Sequence, residues 1–226
     1  MKMTSSELLE EMKDMMLERG LAGTTLRKIA RTQRRDPFKV LIATILSQRT
    51  RDENTDRASK QLFARFHSAT ALAHAPLRTV ERLIRPSGFY HVKAKKIKEV
   101  ARAIVEQHGG KVPRDLESLL DLPLVGRKTA NCVLVYGFDE PAIPVDTHVH
   151  RISNRLGIVQ TKTPEQTEMQ LSRYFQKSDW IEVNETMVQF GKTICKPVRP
   201  RCHVCMLRKH CGEHAKNEAK RKLANR

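Results

Sequence analysis

Two side chains that could act as a nucleophile and its carboxylate partner, Lys128 and Asp146, stand 18 residues apart. Lys128 follows a turn, Pro123 to Gly126, and Asp146 stands directly before Thr147. A lysine near the positive end of a helix, partly removed from water, loses its proton more readily and can attack an electrophilic carbon. Asp146 is placed to cap the next helix, and cap hydrogen bonds favour the ionised carboxylate. We expect the two side chains to meet in one cleft; a surface lysine and a purely capping aspartate are the alternative.

The turn before Lys128 is predicted to bind phosphate. Backbone N–H groups exposed at a helix N-terminus attract anions, because the unpaired amides and the helix dipole both face outward. Gly126 would allow close approach of a phosphate, and Arg127 adds positive charge. An ordinary helix–turn–helix joint packed in the core is the alternative. A similar turn, Pro86 to Phe89, precedes Lys93 and suggests a second phosphate-binding hairpin, unless the similarity is due to chance.

Four of the five cysteines follow the spacing C-x6-C-x2-C-x5-C, at Cys195, Cys202, Cys205 and Cys211. Four thiolates this close in sequence can surround one metal centre, and the spacing alone allows either zinc or a [4Fe–4S] cluster. The segment 192–211 also holds six Lys or Arg residues and no acidic residue. The loop is therefore predicted to bind phosphate as well as metal. The fifth cysteine, Cys132, is predicted to be a small buried residue.

The composition indicates a protein that binds a polyanion. Forty-two Lys and Arg against 25 Asp and Glu give a net charge of +17 over 226 residues, which favours nucleic acid ahead of an anionic membrane surface. No run of 18 apolar residues is present, so no membrane span is expected. The acidic, amphipathic N-terminus lacks a signal-peptide core, and we expect a cytoplasmic, nucleoid-associated protein. In such a reducing compartment a cysteine cluster favours a metal site over disulfides.

Helical periodicity without any useful period-2 segment predicts an all-α fold. The first helix is expected to have Ser5 or Ser6 as its N-cap and to end near Gly20, before a basic connection from Leu21 to Arg35. An apolar helix from Asp36-Pro37 should lie at the centre of the core. Further helices are predicted from Asp52, on either side of Pro76, from about His91 to His108, over 114–122, from Asp146, from Pro164 and over 179–191. The basic tail is expected to be solvated and frayed.

Together these residues closely resemble the endonuclease III family of DNA glycosylases, within the helix-hairpin-helix glycosylase superfamily. The similarity runs from about Arg35 to Cys211 and is strongest in SGFYHVKAKKI, LPLVGRKTAN, VDTHVHRISNRLG and the four-cysteine spacing. It implies two domains: a six-helix domain with the helix-hairpin-helix at residues 30–140, and a helical domain of residues 1–29 and 141–226 that carries the cysteines. The active site would lie between them.

The resemblance implies a bifunctional enzyme that excises oxidised or damaged pyrimidines from double-stranded DNA and then cleaves the abasic site. Lys128 and Asp146 match the family's catalytic pair, and the four cysteines match the ligands of its [4Fe–4S] cluster, which favours iron–sulfur over zinc. A monomer with damaged DNA as its partner, and no membrane, is expected. The expected DNA contacts are Gln48, Arg49, Leu124, Val125, Gly126, Arg127, Lys196, Arg199 and Arg201.

Two positions depart from the family pattern. Leu124 stands where the family usually has glycine, so the turn should differ or be strained. LSQRTRDENT occupies the stretch from which the family inserts a glutamine into the gap left by the flipped base; Gln48 is the natural candidate, and an ungapped alignment gives Arg49. A uracil or thymine mismatch glycosylase is an alternative function. A non-catalytic DNA-binding protein and an electron-transfer iron–sulfur protein are alternatives from other classes.

Overall fold

Two compact helical units make up the chain. The computed structural model describes residues 3–18, 24–33 and 35–224, with side chains as far as Ala219. The hairpin unit is Thr25–Ala142, and the cysteine unit is Met1–Thr24 with Ile143–Arg226. The described residues contain no strand, so the predicted all-α class is confirmed. None of the described helices is long and apolar enough to cross a membrane.

The helices mostly fall where the periodicity predicts them. In chain order they are α1 (Ser5–Leu17), α2 (Thr25–Thr32), α3 (Pro37–Ser47), α4 (Asp52–Phe63), α5 (Ala69–His74), α6 (Leu77–Leu83), α7 (Tyr90–His108), α8 (Leu116–Asp121), α9 (Arg127–Phe138), α10 (Thr147–Leu156), α11 (Pro164–Tyr174), α12 (Trp180–Thr193) and α13 (Gly212–Ala224). Short 3₁₀ turns cover Lys177–Asp179, Cys202–Val204 and Met206–His210.

Helix α3 lies in the core of the hairpin unit, as predicted. The carboxylate of Asp36 caps it by accepting from the N–H groups of Phe38 and Lys39, and Pro37 occupies its first turn. Every residue from Val40 to Leu46 is buried. Helix α9 packs closely on the start of α3, since a methyl group on Gly137 would lie 3.0 Å from the Cα of Pro37. The core helix thus holds in place the helix that carries Lys128.

The cysteine unit has its own apolar core, built mainly from α1, α10 and α12. Buried members include Met12, Ile152 and Phe190, and Cys195, Cys205 and Cys211 pack against it. The N–H of Met206 donates to the Sδ of Met15 in α1. The cysteine loop is therefore seated on the same core that holds the N-terminal helix.

Three local predictions are wrong. The N-cap of α1 is Thr4 rather than Ser5 or Ser6, because Thr4 and Glu7 form a capping box in which each side chain accepts from the other's backbone N–H. The predicted basic connection contains helix α2, whose Ile29 and Ala30 are buried. The tail is helical as far as Ala224 rather than frayed. The predicted end of α1 near Gly20 and the start of the connection lie outside the described residues.

The boundaries of the units also differ from the predicted 29/30 and 140/141. A boundary between residues 29 and 30 would fall inside α2, which packs with α3 and α9 in the hairpin unit. In its described residues the hairpin unit contains eight α-helices, where the resemblance implied six. Two of these are the short helices α5 and α6, which lie on either side of Pro76.

Candidate active site

Lys128 is the second residue of α9 and directly follows the hairpin turn. The helix begins at Arg127, and its N-cap residue, Gly126, has no side chain with which to cap it. The N–H of Val125 donates to the carbonyl of Leu122 at 3.2 Å and closes the turn. The side chain of Lys128 is half-buried, whereas Arg127 is exposed. The amine thus starts at the positively polarised end of a helix and is partly shielded from water.

The hairpin turn has the irregularity that the sequence predicts. Leu124 has a φ of 64°, in the left-handed region that glycine adopts without strain, and its side chain is 48% exposed. A left-handed conformation costs a residue with a Cβ about 1–2 kcal/mol. A methyl group added to Gly126 would meet nothing within 4 Å, so the backbone there is open to a ligand. Val125 is buried, and its N–H is used within the turn, which makes it the hairpin residue least suited to contact a phosphate.

Asp146 caps α10, as predicted. Its Oδ1 accepts from the N–H groups of His148 at 2.8 Å and Val149 at 2.9 Å. Both bonds use Oδ1, so Oδ2 can serve a ligand. The carboxylate is half-buried, and it lies in the cysteine unit, which the chain enters at Ile143; Lys128 lies in the hairpin unit.

Close packing against α12 holds the helix that begins after Asp146. A methyl group on Gly191 would overlap the Nδ1 of His148 and would lie 3.0 Å from both the Nη2 of Arg151 and the Cδ1 of Ile152. The carbonyl of Gly191 also accepts from Arg151 at 3.4 Å. A side chain at position 191 would therefore displace α10, and with it the carboxylate at its N-terminus.

The four cysteines of the predicted metal site surround one cavity. All four are free thiols and half-buried, and they line the cavity together with basic and apolar side chains, which include Arg155, Leu156, Phe190, Ile194, Arg201, Arg208 and His214. Burial raises the pKa of the Cys205 thiol to about 11, and it also raises the pKa of Cys202; the neighbouring cysteines add to both shifts. Thiolates at these positions therefore need a cation beside them. Among the described residues, no group of three or more His, Cys, Asp or Glu side chains is arranged to hold a metal ion.

Two arginines of α10, which the sequence reasoning missed, hold the cysteine loop. Nη1 of Arg155 donates to the carbonyl of Lys196 at 2.7 Å and lies 3.7 Å from the Sγ of Cys195. Its Nη2 donates to the carbonyl of Pro197 at 2.8 Å, and Arg151 donates to the carbonyl of Cys195 at 2.9 Å. The available signal was their spacing of four residues, which places both on one face of a helix.

The predicted cationic surface of the cysteine loop is largely exposed. Arg199 and Arg201 are exposed, and Lys196 is half-buried. Arg199 has a φ of 51°, a conformation that turns the chain between the first and second cysteines. Two of the three predicted phosphate contacts in this loop are thus freely accessible.

Gln48 and Arg49 lie in the loop after α3, and both are exposed. Arg49 has a φ of 53°, and its guanidinium lies over the ring of Phe89, 4.7 Å from the ring centroid. Phe89 itself has a φ of 59° and is 58% exposed. Phe89 was not singled out from the sequence, although an aromatic residue directly after Gly88 in a turn was a usable signal. Both residues belong to the hairpin unit.

The predicted second phosphate-binding hairpin is wrong. Lys93 is only 5% exposed, and its amine donates to oxygen atoms of the protein, so it offers no charge to a phosphate. The left-handed residue of this turn is Phe89, directly before α7, whereas in the hairpin it is Leu124, three residues before α9. The two turns therefore have similar sequences but different backbone conformations.

Comparison with known proteins places these features in a family. The HhH-GPD superfamily of base excision DNA repair proteins matches residues 42–177, more than half of the chain. Endonuclease III of Thermotoga maritima is 50% identical over 207 residues, which cover 91% of this chain and 97% of that protein.

Two solved structures of endonuclease III with DNA are also similar. A non-covalent complex has a TM-score of 0.82 and 35% identity, covering 94% of this chain and 95% of the other. A trapped covalent intermediate has a TM-score of 0.76 and 36% identity, covering 81% and 86%. The chain therefore belongs to the HhH-GPD superfamily of base excision DNA repair proteins, and within it to the endonuclease III family, which confirms the predicted resemblance.

Proposed function

We propose that this protein is a bifunctional DNA glycosylase and abasic-site lyase that removes oxidised or damaged pyrimidines from duplex DNA. Family membership and the endonuclease III relatives, one of them trapped in a covalent DNA complex, support the glycosylase and lyase activities. The observation that carries the proposal is the position of Lys128. It lies at the N-terminus of α9, which no side chain caps, directly after a hairpin turn whose backbone at Gly126 is open to a ligand. A lysine at this position can act as a nucleophile and also lie close to a bound phosphate.

The DNA is held through its phosphates. The Gly126 backbone, Arg127 and the exposed arginines of the cysteine loop form the phosphate contacts, which position the duplex without reading its sequence. The damaged nucleotide must leave the stack before its sugar can react, because C1′ is inaccessible inside the duplex. Gln48 and Arg49, on the exposed loop after α3, contact the space that the nucleotide leaves.

Lys128 carries the covalent step. Its neutral amine forms a bond to C1′ while the bond between C1′ and the base breaks, and the base departs with that electron pair and takes up a proton from solvent water. The electron pair of the nitrogen then forms a C1′=N bond while the bond from C1′ to the ring oxygen breaks, the ring oxygen takes up a proton, and a protonated imine links Lys128 to C1′. The imine acidifies the C2′ proton, and loss of that proton expels the 3′ phosphate and nicks the strand.

Asp146 acts as the carboxylate partner. Its Oδ2, left over from capping, stabilises the positive charge that develops on the sugar and assists proton transfer. Because the cap hydrogen bonds on Oδ1 fix the side chain, this oxygen is held in one orientation.

The four cysteines would hold a [4Fe–4S] cluster. The four free, half-buried thiols that line one cavity support a bound metal group. Membership of the endonuclease III family and the spacing of the four cysteines favour a [4Fe–4S] cluster over zinc, and all four thiolates would be its ligands. When bound, the cluster would pin the basic loop as a rigid phosphate-binding surface. The cysteine unit would then be the cluster domain and the hairpin unit the helix-hairpin-helix domain.

A panel of duplexes tests the substrate. Each carries one of thymine glycol, dihydrouracil, a U·G pair or a T·G pair, and strand nicking by the wild-type protein is followed under single-turnover conditions. We expect fast nicking at thymine glycol and dihydrouracil and slow reaction at the mismatches. Preferred release of uracil or thymine from the mismatches would instead identify a mismatch glycosylase. Tight binding without release of any base or nicking of any strand would identify a non-catalytic DNA-binding protein.

A further inference from the structure

The loop after α3 and the turn before α7 are joined at their exposed tips. Arg49 and Phe89 both adopt left-handed backbone conformations, with φ of 53° and 59°, and the guanidinium of one lies over the ring of the other. Each such conformation costs a residue with a Cβ about 1–2 kcal/mol and persists only where the surroundings enforce it. Contacts at the bases of the loop and the turn must therefore stabilise these two conformations.

A buried lysine, Lys93, joins the loop to the turn by hydrogen bonds, beside the direct bond from Ser87 to the carbonyl of Leu46. The Nζ of Lys93 donates to the carbonyl of Leu46 at 2.7 Å, to the Oγ1 of Thr50 at 2.6 Å and to the Oγ of Ser87 at 2.9 Å. Leu46 and Thr50 lie on either side of Gln48 and Arg49, and Ser87 lies two residues before Phe89. One amine thus connects both ends of the loop to the turn.

The contact pattern matches the chemistry of an ammonium group. A lysine ammonium can donate three hydrogen bonds and accept none, and Lys93 has three oxygen partners. Lys93 is 5% exposed, and its burial, followed by the nearby charge of Lys96, lowers its pKa to about 8. Keeping a cation in such a place is unfavourable in itself, so its hydrogen bonds must offset that cost.

We propose that Lys93 is a positioning residue that fixes the Gln48–Arg49 loop against the Phe89 turn and so presents Arg49 and Phe89 to duplex DNA as one preformed element. The inference rests on the proposed function, in which this loop contacts the space vacated by the damaged nucleotide. A preformed element lowers the entropy cost of ordering the loop when DNA binds. Loss of Lys93 should therefore affect the reaction only where an intact duplex has to be opened.

The chain supplies a matched control in the same helix. Lys98, five residues further along α7, is 7% exposed, and its amine donates to the carbonyls of Leu72, Ala73 and Ala75 at the end of α5. It is a buried lysine that closes a helix C-terminus, and in the described part of the chain its hydrogen bonds go to that helix end and the residue after it. Lys98→Met therefore removes the same chemical group and the same kind of stabilisation without touching the Gln48–Arg49 loop.

The experiment compares two substrates for wild-type protein, Lys93→Met and Lys98→Met. One is a duplex with a central abasic site, and the other is the same damaged strand without its complement, on which the lysine chemistry needs no opened duplex. For each protein we measure the single-turnover rate of nicking on both and take their ratio. We expect the duplex-to-single-strand ratio to fall roughly tenfold to a hundredfold in Lys93→Met. It should stay at the wild-type value in Lys98→Met.

Three results would overturn the proposal or its basis. An unchanged ratio in Lys93→Met would show that Lys93 does not position the loop. An equal fall in Lys98→Met would show that only lost stability matters. If wild-type protein nicked neither substrate, the proposed function itself would be wrong. This outcome can be distinguished from the other two, because in both of those the wild-type protein is active.

A second variant covers the case in which Lys93→Met does not fold. Thr50→Val keeps the shape of the side chain and removes one of the three acceptors of Lys93, together with the weaker contacts of the same hydroxyl to the carbonyl of Gln48 and the hydroxyl of Ser87. We expect it to lower the same ratio by a smaller factor, because two of the three bonds to Lys93 are kept. A wild-type ratio in folded Thr50→Val would contradict the proposal.

Discussion

The guanidinium of Arg155 lies 3.7 Å from the Sγ of Cys195 and donates to the carbonyl of the next residue, Lys196. An arginine of α10 thus holds both a proposed metal ligand and the backbone beside it. The link matters because the loop between the first and second cysteines, residues 196–201, carries the exposed cations Arg199 and Arg201. Its conformation decides whether they can meet a DNA backbone.

Arg155→Met should therefore loosen the cysteine loop. The variant loses a charge-assisted hydrogen bond and leaves backbone carbonyls without their donor, so we expect less iron per chain after purification and faster loss of iron to a chelator. Iron and sulfide analysis and the brown colour of the protein measure this directly. Arg173→Met, at an exposed position near the end of α11, is the control and should match wild type. Equal iron retention in the two variants would contradict the assigned role of Arg155.

Replacing Leu124 with glycine should stabilise the hairpin unit. Glycine adopts a φ of 64° without the steric penalty that leucine carries, although it also makes the unfolded chain more flexible. We expect Leu124→Gly to raise the free energy of unfolding by about 1 kcal/mol, measured by denaturant titration. Leu120→Gly, at an exposed position in α8 with ordinary helical geometry, should lower it by about 1 kcal/mol. A loss of stability in both variants would show that Leu124 is not strained.

Gly191→Ala should destabilise the cysteine unit. The new methyl group would overlap His148 and press on Arg151 and Ile152, so α10 and α12 would have to move apart. We expect a loss of about 1–3 kcal/mol in thermal or denaturant unfolding. In Gly88→Ala the nearest atom to the new methyl group is the carbonyl oxygen of Arg49 at 3.4 Å, an ordinary contact, and the change should be smaller. Wild-type stability in Gly191→Ala would refute the close packing of the two helices.

The buried amine of Lys93 predicts a pH dependence of stability. Its pKa is about 8 in the folded protein, against about 10.4 for an unperturbed lysine. Between these values the folded state binds fewer protons than the unfolded state, so the free energy of unfolding rises with pH. The stability of wild type relative to Lys93→Met should therefore increase from about pH 8 to about pH 10. A difference that stays constant or falls over this range would contradict the buried position of the ammonium.

Features encoded by neighbouring residues were predictable from the sequence. Asp36 with Pro37 marks the start of α3, Gly109 closes α7 and Asp146 caps α10, because caps and breakers act within one helical turn. The N-cap of α1 could have been placed correctly too, since Thr4 and Glu7 have the spacing of a capping box. Helix α2 was missed because its sequence is mostly polar and basic, with only Ile29 and Ala30 buried.

Features that depend on distant contacts were not predictable. Lys93 meets Leu46 across 47 residues, and Arg155 meets Lys196 across 41. Nothing local distinguishes these two side chains from the solvated lysines and arginines of a chain with 42 such residues. Their roles come from the packing of α7 against α3 and of α10 against α12, which only the folded chain brings together.

Borohydride trapping tests the central claim, that Lys128 is the nucleophile. The protein is mixed with a thymine glycol duplex and sodium borohydride, and adducts are separated on a denaturing gel. Lys128→Gln keeps a polar, unbranched side chain of similar size but has no amine, so it should still bind the duplex while losing nicking. We predict a covalent protein–DNA adduct for wild type, mapped to Lys128 by peptide mass analysis, and none for Lys128→Gln. No adduct with wild type, or an equal adduct with Lys128→Gln, would contradict the account.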